Sequence, residues 1–231
     1  MQATIQNSAS SSSATDAAIS GAVTAFNNAE KKTVPYTYWL FEGALPTELC
    51  KQVIALPIQA AGEYDTQGKR DSHNELRRFF SPQMQAEYGT MKQVADIFQN
   101  RDVIRSIEQL CGISCAGSYL RIEYCQDKNG FWLEPHMDIK EKLVTIQIYL
   151  NTGEDAQTLG TDIYNADKSH FGRAPSFMNQ GMIFVPKEPN SYHGFEKRKI
   201  LDTRRSLIIN YVTDDWRARH ELSFPQEPVS I

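Results

Sequence analysis

The chain has 231 residues, a formal charge of −4 at neutral pH and four cysteines, a length that fits one core of roughly 180 to 200 residues with a tail better than two domains. Its 24 Lys and Arg are scattered without basic blocks, which argues against nucleic acid as a partner. No apolar run approaches the roughly 18 residues of a membrane helix, so the chain reads as soluble and without a membrane partner.

The opening "MQATIQNSASSSSATDAA" has no early Lys or Arg and no long apolar stretch, unlike a secretory signal, and residues 1–14 read as a disordered Ser/Ala-rich tail. From Thr15 onward Ile19, Val23 and Phe26 recur at helical spacing and predict a short helix docked on the main domain. After Pro35, "YTYWLFEGALPTELCKQVIAL" predicts a strand, a Gly/Pro turn and a helix opening near Thr47. A polar loop fills 59–76. Helices are expected at about 82–98 and 101–111, where Met84, Met91, Val94 and Phe98, then Val103, Ile104, Ile107 and Leu110, keep a helical period.

From Gly117 the character changes to short β-rich runs at 117–125, 143–151, 161–165, 181–186, 205–213 and 221–224, separated by Gly, Pro, Asn and Asp. Helices first and strands second predict an α+β, mainly β architecture, a sandwich or barrel with the helices on one outer face. Residues 15–231 then form a single domain, helical support mainly in 15–112 and β core mainly in 117–231. The C-terminal "DDWRARHELSF" is expected to pack back on the scaffold through Trp216, Leu222 and Phe224.

Cys50, Cys111, Cys115 and Cys125 form no CxxC pair, which suits a reduced, cytoplasmic setting. "CGISC" offers half a zinc site without a second pair, and small buried hydrophobes are the simpler reading. His73, His170 and His220 sit in polar surroundings and are expected at the surface. His136 and Asp138 are different: one residue apart, they point to the same side only on an extended backbone. A third ligand must come from elsewhere, and His193 in "NSYHGF" follows the strand-like "GMIFVP". Two imidazoles and one carboxylate suit non-haem Fe(II) and leave coordination positions open. His and Asp also bind zinc, although there is no H-E-x-x-H helix.

A tyrosine at 124, H-x-D at His136 and Asp138, Y-L-N at 149–151, the distal His193 and R-x-S at Arg204–Ser206 follow one another in order. In these landmarks residues 119–213 resemble the catalytic core of the 2-oxoglutarate- and Fe(II)-dependent dioxygenases, in the prolyl-hydroxylase-like branch. The resemblance implies a double-stranded β-helix, a jelly-roll and cupin-like core. It also implies metal ligation by His136, Asp138 and His193, with Fe(II), 2-oxoglutarate and O2 as cofactor and co-substrates. The reaction would couple oxidative decarboxylation, giving succinate and CO2, to hydroxylation.

The distal carboxylate of 2-oxoglutarate needs a cation, best a planar guanidinium. Along "DTRRSLIINYV", Arg204, Ser206 and Ile208 share one face and Arg205, Leu207 and Ile209 the other. The R-x-S pattern favours Arg204 as the anchor with Ser206 beside it, and leaves Arg205 for solvent or a surface acid. Thr145, Gln147 and Tyr149 share a face that implies a lined pocket. That face places Gln147 in the co-substrate pocket, while the resemblance gives the Tyr149 hydroxyl to the distal carboxylate and sets Tyr124 near the co-substrate.

Specificity should lie in loops, here 59–76, "DKNGFWLEP" and "NADKSHFGRAPSF". Arg121, Glu134, Lys140 and Arg173 near the expected mouth suit a small polar substrate, either a small molecule or a peptidyl residue: an amino acid, a peptide-linked residue or a sugar derivative. The alternative is a non-catalytic cupin-like jelly roll that binds a small molecule or sugar. Such a module does not need the clamp of Arg204, Ser206 and Tyr149.

Overall fold

The computed structural model describes residues 2–60, 62–69, 77–186 and 190–231, with side chains from Ala14 onward. Helix α1 (Gln2–Asn27) runs through the stretch read above as a disordered tail; alanine is the strongest helix former and serine an ordinary one. It buries Ala18, Ala22, Ala25 and Phe26, with Ile19 and Val23 flanking. Strands β1 (Glu30–Lys32) and β2 (Tyr38–Glu42) pair antiparallel, and Gly43, at φ +76°, turns the chain toward α2 (Thr47–Ile54).

The single helix expected over 82–98 is two, α3 (Pro82–Glu87) and α4 (Gly89–Gln99), because Tyr88 between them is extended at φ −124°, ψ 101°. Helix α5 (Arg101–Cys111) stands where the spacing predicts it. The Asn100 side chain accepts from the Asp102 N–H at its start, and Gly112 closes it in the left-handed conformation at φ 66°.

The remaining strands are β3 (Arg78–Phe79), β4 (Tyr119–Asp127), β5 (Leu133–His136), β6 (Lys142–Tyr149), β7 (Asp162–Tyr164), β8 (His170–Arg173), β9 (Gln180–Phe184), β10 (His193–Phe195) and β11 (Arg204–Val212). They form a seven-stranded sheet in the order β1-β2-β9-β6-β11-β4-β3 and a four-stranded sheet in the order β5-β10-β7-β8. From β4 to β11 the chain changes sheet at every step but one, so β9-β6-β11-β4 faces β5-β10-β7-β8. This is the expected double-stranded β-helix.

The main core lies outside the barrel. Val144, Ile146 and Ile148 of β6 and Leu207, Ile209 and Tyr211 of β11 pack against Met91, Val94 and Phe98 of α4 and Val103, Ile104 and Ile107 of α5. A smaller cluster between the sheets joins Tyr149, Met182 and Phe184 to Ile163. The central strands are therefore buried on both faces. In place of a strand at 221–224 there is a short turn at Arg219–Glu221 and a lone bridge between Arg121 and Leu222. The C-terminal segment still packs back: Leu222 is buried, Phe224 rests on the main core, and the Trp216 ring lies 5.0 Å from the Arg121 guanidinium.

All four cysteines are free, and burial pushes the Cys111 and Cys115 thiols up to about 12. Among the described residues no cysteine belongs to a cluster that could hold a metal, and no helix is long and apolar enough to cross a membrane.

Candidate metal centre and co-substrate pocket

Strands β5 and β10 run side by side with His136 directly opposite His193, ring centroids 4.4 Å apart. Asp138 follows just past the end of β5, and the donor atoms of the three side chains lie within 4.8 Å of one another. Both imidazoles are held in the same way. Nδ1 of His136 is 2.8 Å from the Glu134 carbonyl, and Nδ1 of His193 is 3.0 Å from the Ser191 carbonyl. A carbonyl only accepts, so each Nδ1 carries the proton and each Nε2 keeps its lone pair for a metal.

The Asp138 carboxylate accepts from Lys142 Nζ at 2.5 Å and from the Thr145 hydroxyl at 2.6 Å. Burial alone would raise its pKa, but the Lys142 ammonium, His193 and the two hydrogen bonds outweigh burial and hold the carboxyl well below the usual range. Burial, reinforced by neighbouring His136, pushes His193 down to about 4 against the pull of Asp138, so its imidazole is neutral at pH 7. A second group, Asp162, His170 and Glu196, also converges. There the carboxylate already accepts from Arg173 Nε at 2.7 Å, from Arg198 and from the Glu196 N–H, so its charge is matched without an ion.

Behind the triad is a cavity of about 80 Å³ whose far wall carries Arg204, Thr161 and Gln147, with Phe131, Phe184 and Phe195 around it. Arg204 is 1% exposed. Its Nε donates to the Leu159 carbonyl at 2.8 Å, its Nη1 to Asp127 at 2.5 Å, and its Nη2 reaches the Thr161 hydroxyl at 3.5 Å. The guanidinium sits 4.7 Å from the Phe195 ring. The Tyr149 hydroxyl accepts from the Thr161 N–H at 3.0 Å and donates to Gln147 at 3.1 Å, and the Thr161 hydroxyl donates to Gln147 as well. Ser206, on the same inward face as Arg204, is fully buried and its hydroxyl has no partner among the described residues.

Outside the triad an open groove of about 430 Å³ shares Arg77, Leu133, His136, Asp138 and Lys142 with the inner cavity. Those five residues form the throat. A larger hollow, about 680 Å³, lies beside α1 and contains neither histidine nor cysteine.

The sequence matches no protein-family model and no curated protein. Solved structures do match. A prolyl-4-hydroxylase from Pseudomonas putida superposes with a TM-score of 0.55 at 13% identity, covering 84% of this chain and 93% of that one. A prolyl 4-hydroxylase from Phytophthora capsici gives 0.54 at 10% identity, covering 87% and 66%. A prolyl hydroxylase from Trichoplax adhaerens, solved with a peptide of the hypoxia inducible factor oxygen degradation domain, gives 0.53 at 13% identity, covering 88% and 93%. The chain has the prolyl 4-hydroxylase fold.

On that fold most of the expected site residues converge, and one does not. His136, Asp138, His193, Arg204 and Gln147 line one cavity, with Tyr149 behind it, on Gln147 and Thr161, and Ser206 beside Arg204, whereas Tyr124 is on the other side of the sheet. In register it stands opposite Leu207, so it shares the helix-facing side of β4 and β11 with Leu207 and Ile209. The inward residues of β4 are Arg121, Glu123, Cys125 and Asp127, opposite Asn210, Ile208, Ser206 and Arg204. Arg205 points outward and pairs with the surface acid Asp202 at 3.2 Å.

Of the expected mouth residues, Arg121 and Glu134 line the outer groove and Lys140 the adjoining surface. Arg173 instead binds Asp162 on the small sheet. His73 lies outside the described residues. His220 is exposed, and exposed His170 is 3.2 Å from Asp162. Thr161, Asp127, Glu123, Arg77 and Lys142 were not singled out for the site from sequence. Only Lys142 carried a signal, four residues after Asp138 at the start of the polar-striped strand.

Proposed function

We propose that this chain is a non-haem Fe(II)- and 2-oxoglutarate-dependent dioxygenase that couples decarboxylation of 2-oxoglutarate to hydroxylation of a small polar or peptidyl substrate. The observation that carries the reading is the joint presence, in one cavity, of a His-Asp-His donor set and a buried arginine with free capacity nearby. The donor chemistry fits Fe(II): two imidazoles and one ionised carboxylate, each oriented by a backbone carbonyl, lysine or threonine. The unpartnered buried Ser206 hydroxyl beside Arg204 fits an anionic ligand at the far wall.

The chemistry supplied by the bound ion and 2-oxoglutarate is activation of O2 with release of succinate and CO2. The protein's share is positional. His136 and His193 offer Nε2, and Asp138 offers one carboxylate oxygen while Thr145 and Lys142 fix its orientation. Arg204 and Ser206 would grip the distal carboxylate of 2-oxoglutarate, while Thr161, fixed by Tyr149 and Gln147, accepts from the Arg204 guanidinium. Phe131, Phe184 and Phe195 keep water out of the pocket, which strengthens each of these interactions.

The test is anaerobic addition of Fe(II) and 2-oxoglutarate to the purified chain. A visible charge-transfer band, and on admission of air succinate release that disappears in H136A, are the expected results. Absence of the band, or equal succinate release from H136A, would return the protein to the class of non-catalytic binding modules.

A further inference from the structure

We infer that the primary substrate carries a carboxylate, and that Lys142 at the throat is the specificity-determining side chain that recognises it. The inference rests on the dioxygenase reading and adds the charge class of the substrate. Four cations border the throat and the groove outside it; exposed Lys69 lies at the rim, and of the three inside it two have acids of their own. Arg77 is bidentate on Glu123, at 2.9 and 2.7 Å. Arg121 holds Glu221 at 2.6 Å, Glu123 at 3.0 Å and the Asn210 side-chain Oδ1 at 3.2 Å.

Lys142 differs. Among the described residues the one partner of its ammonium is Asp138, 2.5 Å away. That carboxylate is the only acid of the donor triad, so a divalent ion held there draws on the same negative charge. Arg77, Arg121 and Lys142 are then set against Glu123 and Glu221, and Lys142 is the cation whose counter-charge is shared. Its side chain is only 16% exposed, so solvent compensates it poorly, and an incoming anion would be favoured.

Position gives this charge its meaning. Lys142 borders both the inner cavity and the outer groove, one hydrogen bond from a metal-ligand carboxylate, so an anion that it holds lies next to the carbon presented for oxidation. Leu133, which borders both the cavity and the groove, offers apolar surface for that carbon. Of the substrate classes considered, an acid-bearing small molecule satisfies the ammonium, whereas a neutral sugar leaves it without a second partner.

The probes are N-acetyl amino acids, each paired with its own primary amide, so that members of a pair differ only in the carboxylate. Binding to the full chain loaded with Fe(II) and 2-oxoglutarate under argon is read by calorimetry and by the shift of the charge-transfer band. The best acid should bind about 10- to 100-fold more tightly than its amide, the span of one hydrogen bond to a charged group. K142R should keep most of this preference and K142M should abolish it. If Lys142 served only to orient Asp138, K142M would weaken metal binding and leave the acid-to-amide ratio intact, which overturns the inference. So does binding of neither series, or equal binding of both, to the wild-type protein. Absence of the charge-transfer band before any probe is added sinks the dioxygenase reading itself and is thus told apart.

Discussion

Asp127→Asn tests whether Arg204 is the 2-oxoglutarate anchor, because the buried pair means that Asp127 and the co-substrate compete for one guanidinium. Arg204 is 1% exposed, Asp127 is 9% exposed and their contact is 2.5 Å. Breaking a buried pair by removing one partner costs about 3 to 5 kcal/mol, because the other charge is left uncompensated. Asparagine keeps the size and an acceptor, and Arg204 keeps Leu159 and Thr161, so the lower end, about 3 kcal/mol, applies. For a chain of this length that is a fall in Tm of roughly 6 to 12 °C.

In the variant, bound 2-oxoglutarate supplies the missing negative charge. Its affinity should therefore rise, by up to about 100-fold if about 2.7 kcal/mol of the loss is recovered. The assay is thermal unfolding of wild type and D127N with Mn(II) in place of iron, across a 2-oxoglutarate titration, with calorimetric dissociation constants beside it. The two unfolding temperatures should converge as the ligand saturates. A destabilised D127N that binds 2-oxoglutarate no better than wild type, with a Tm gap that never closes, would refute Arg204 as the anchor.

Gly194 follows His193 on β10 and faces β5, so a Cβ there would meet the Leu133 carbonyl at 2.6 Å and the Glu134 carbonyl at 3.0 Å. The latter orients His136, so G194A should weaken Mn(II) affinity about 10- to 100-fold, as loss of a ligand-orienting contact typically does, measured by calorimetry. Cys50, Cys111 and Cys115, with thiols pushed up to about 11, 12 and 12 by burial, should not react with Ellman's reagent at pH 8 in the native protein and should react in denaturant. Rapid native labelling of any of the three would contradict the buried-hydrophobe reading.

The legible parts of this sequence were those in which spacing has a single geometric meaning. His136 and Asp138 share a side only on an extended chain, and α5 is bounded by Asn100 and Gly112, each with a specific capping role. Parity was legible on β11 because the R-x-S pattern picked out Arg204 and Ser206. On β4 it was not. Leu120, Ile122 and Tyr124 alternate there with Arg121, Glu123 and Asp127, but with helices on one side and the cavity on the other both faces are buried, so the alternation alone does not say which face lines the cavity. Register with β11 decides it, and register is a long-range property. The break at Tyr88 escaped for a related reason: Met84 and Met91 keep the same buried side across it, so the periodicity runs on through two helices. Strands β5, β8 and β10 have only four, four and three residues, too few to show a period.

A common pattern links the two ends of the pocket. Arg204 on the far wall carries Asp127, and Lys142 at the throat carries Asp138; both cations are largely buried, and neither stands alone in the ligand-free chain. An uncompensated charge at either place would be costly enough to threaten a marginally stable fold. The guard carboxylates lower that cost, and they also lower the affinity of any anion that replaces them. Ligand binding at such a site is an exchange of partners rather than the filling of a vacancy, so its strength depends on the difference between two anions. On this view the acids matter as much as the cations for selectivity: a ligand must offer more than the aspartate it displaces, through the extra donor of Ser206 at one end or the nearby metal at the other. At the far wall, where the guard acid is not a metal ligand, substitution of Asp127 should thus raise affinity while lowering stability, whereas substitution of Arg204 should lower affinity, and that opposition of sign separates a binding pair from a purely structural one.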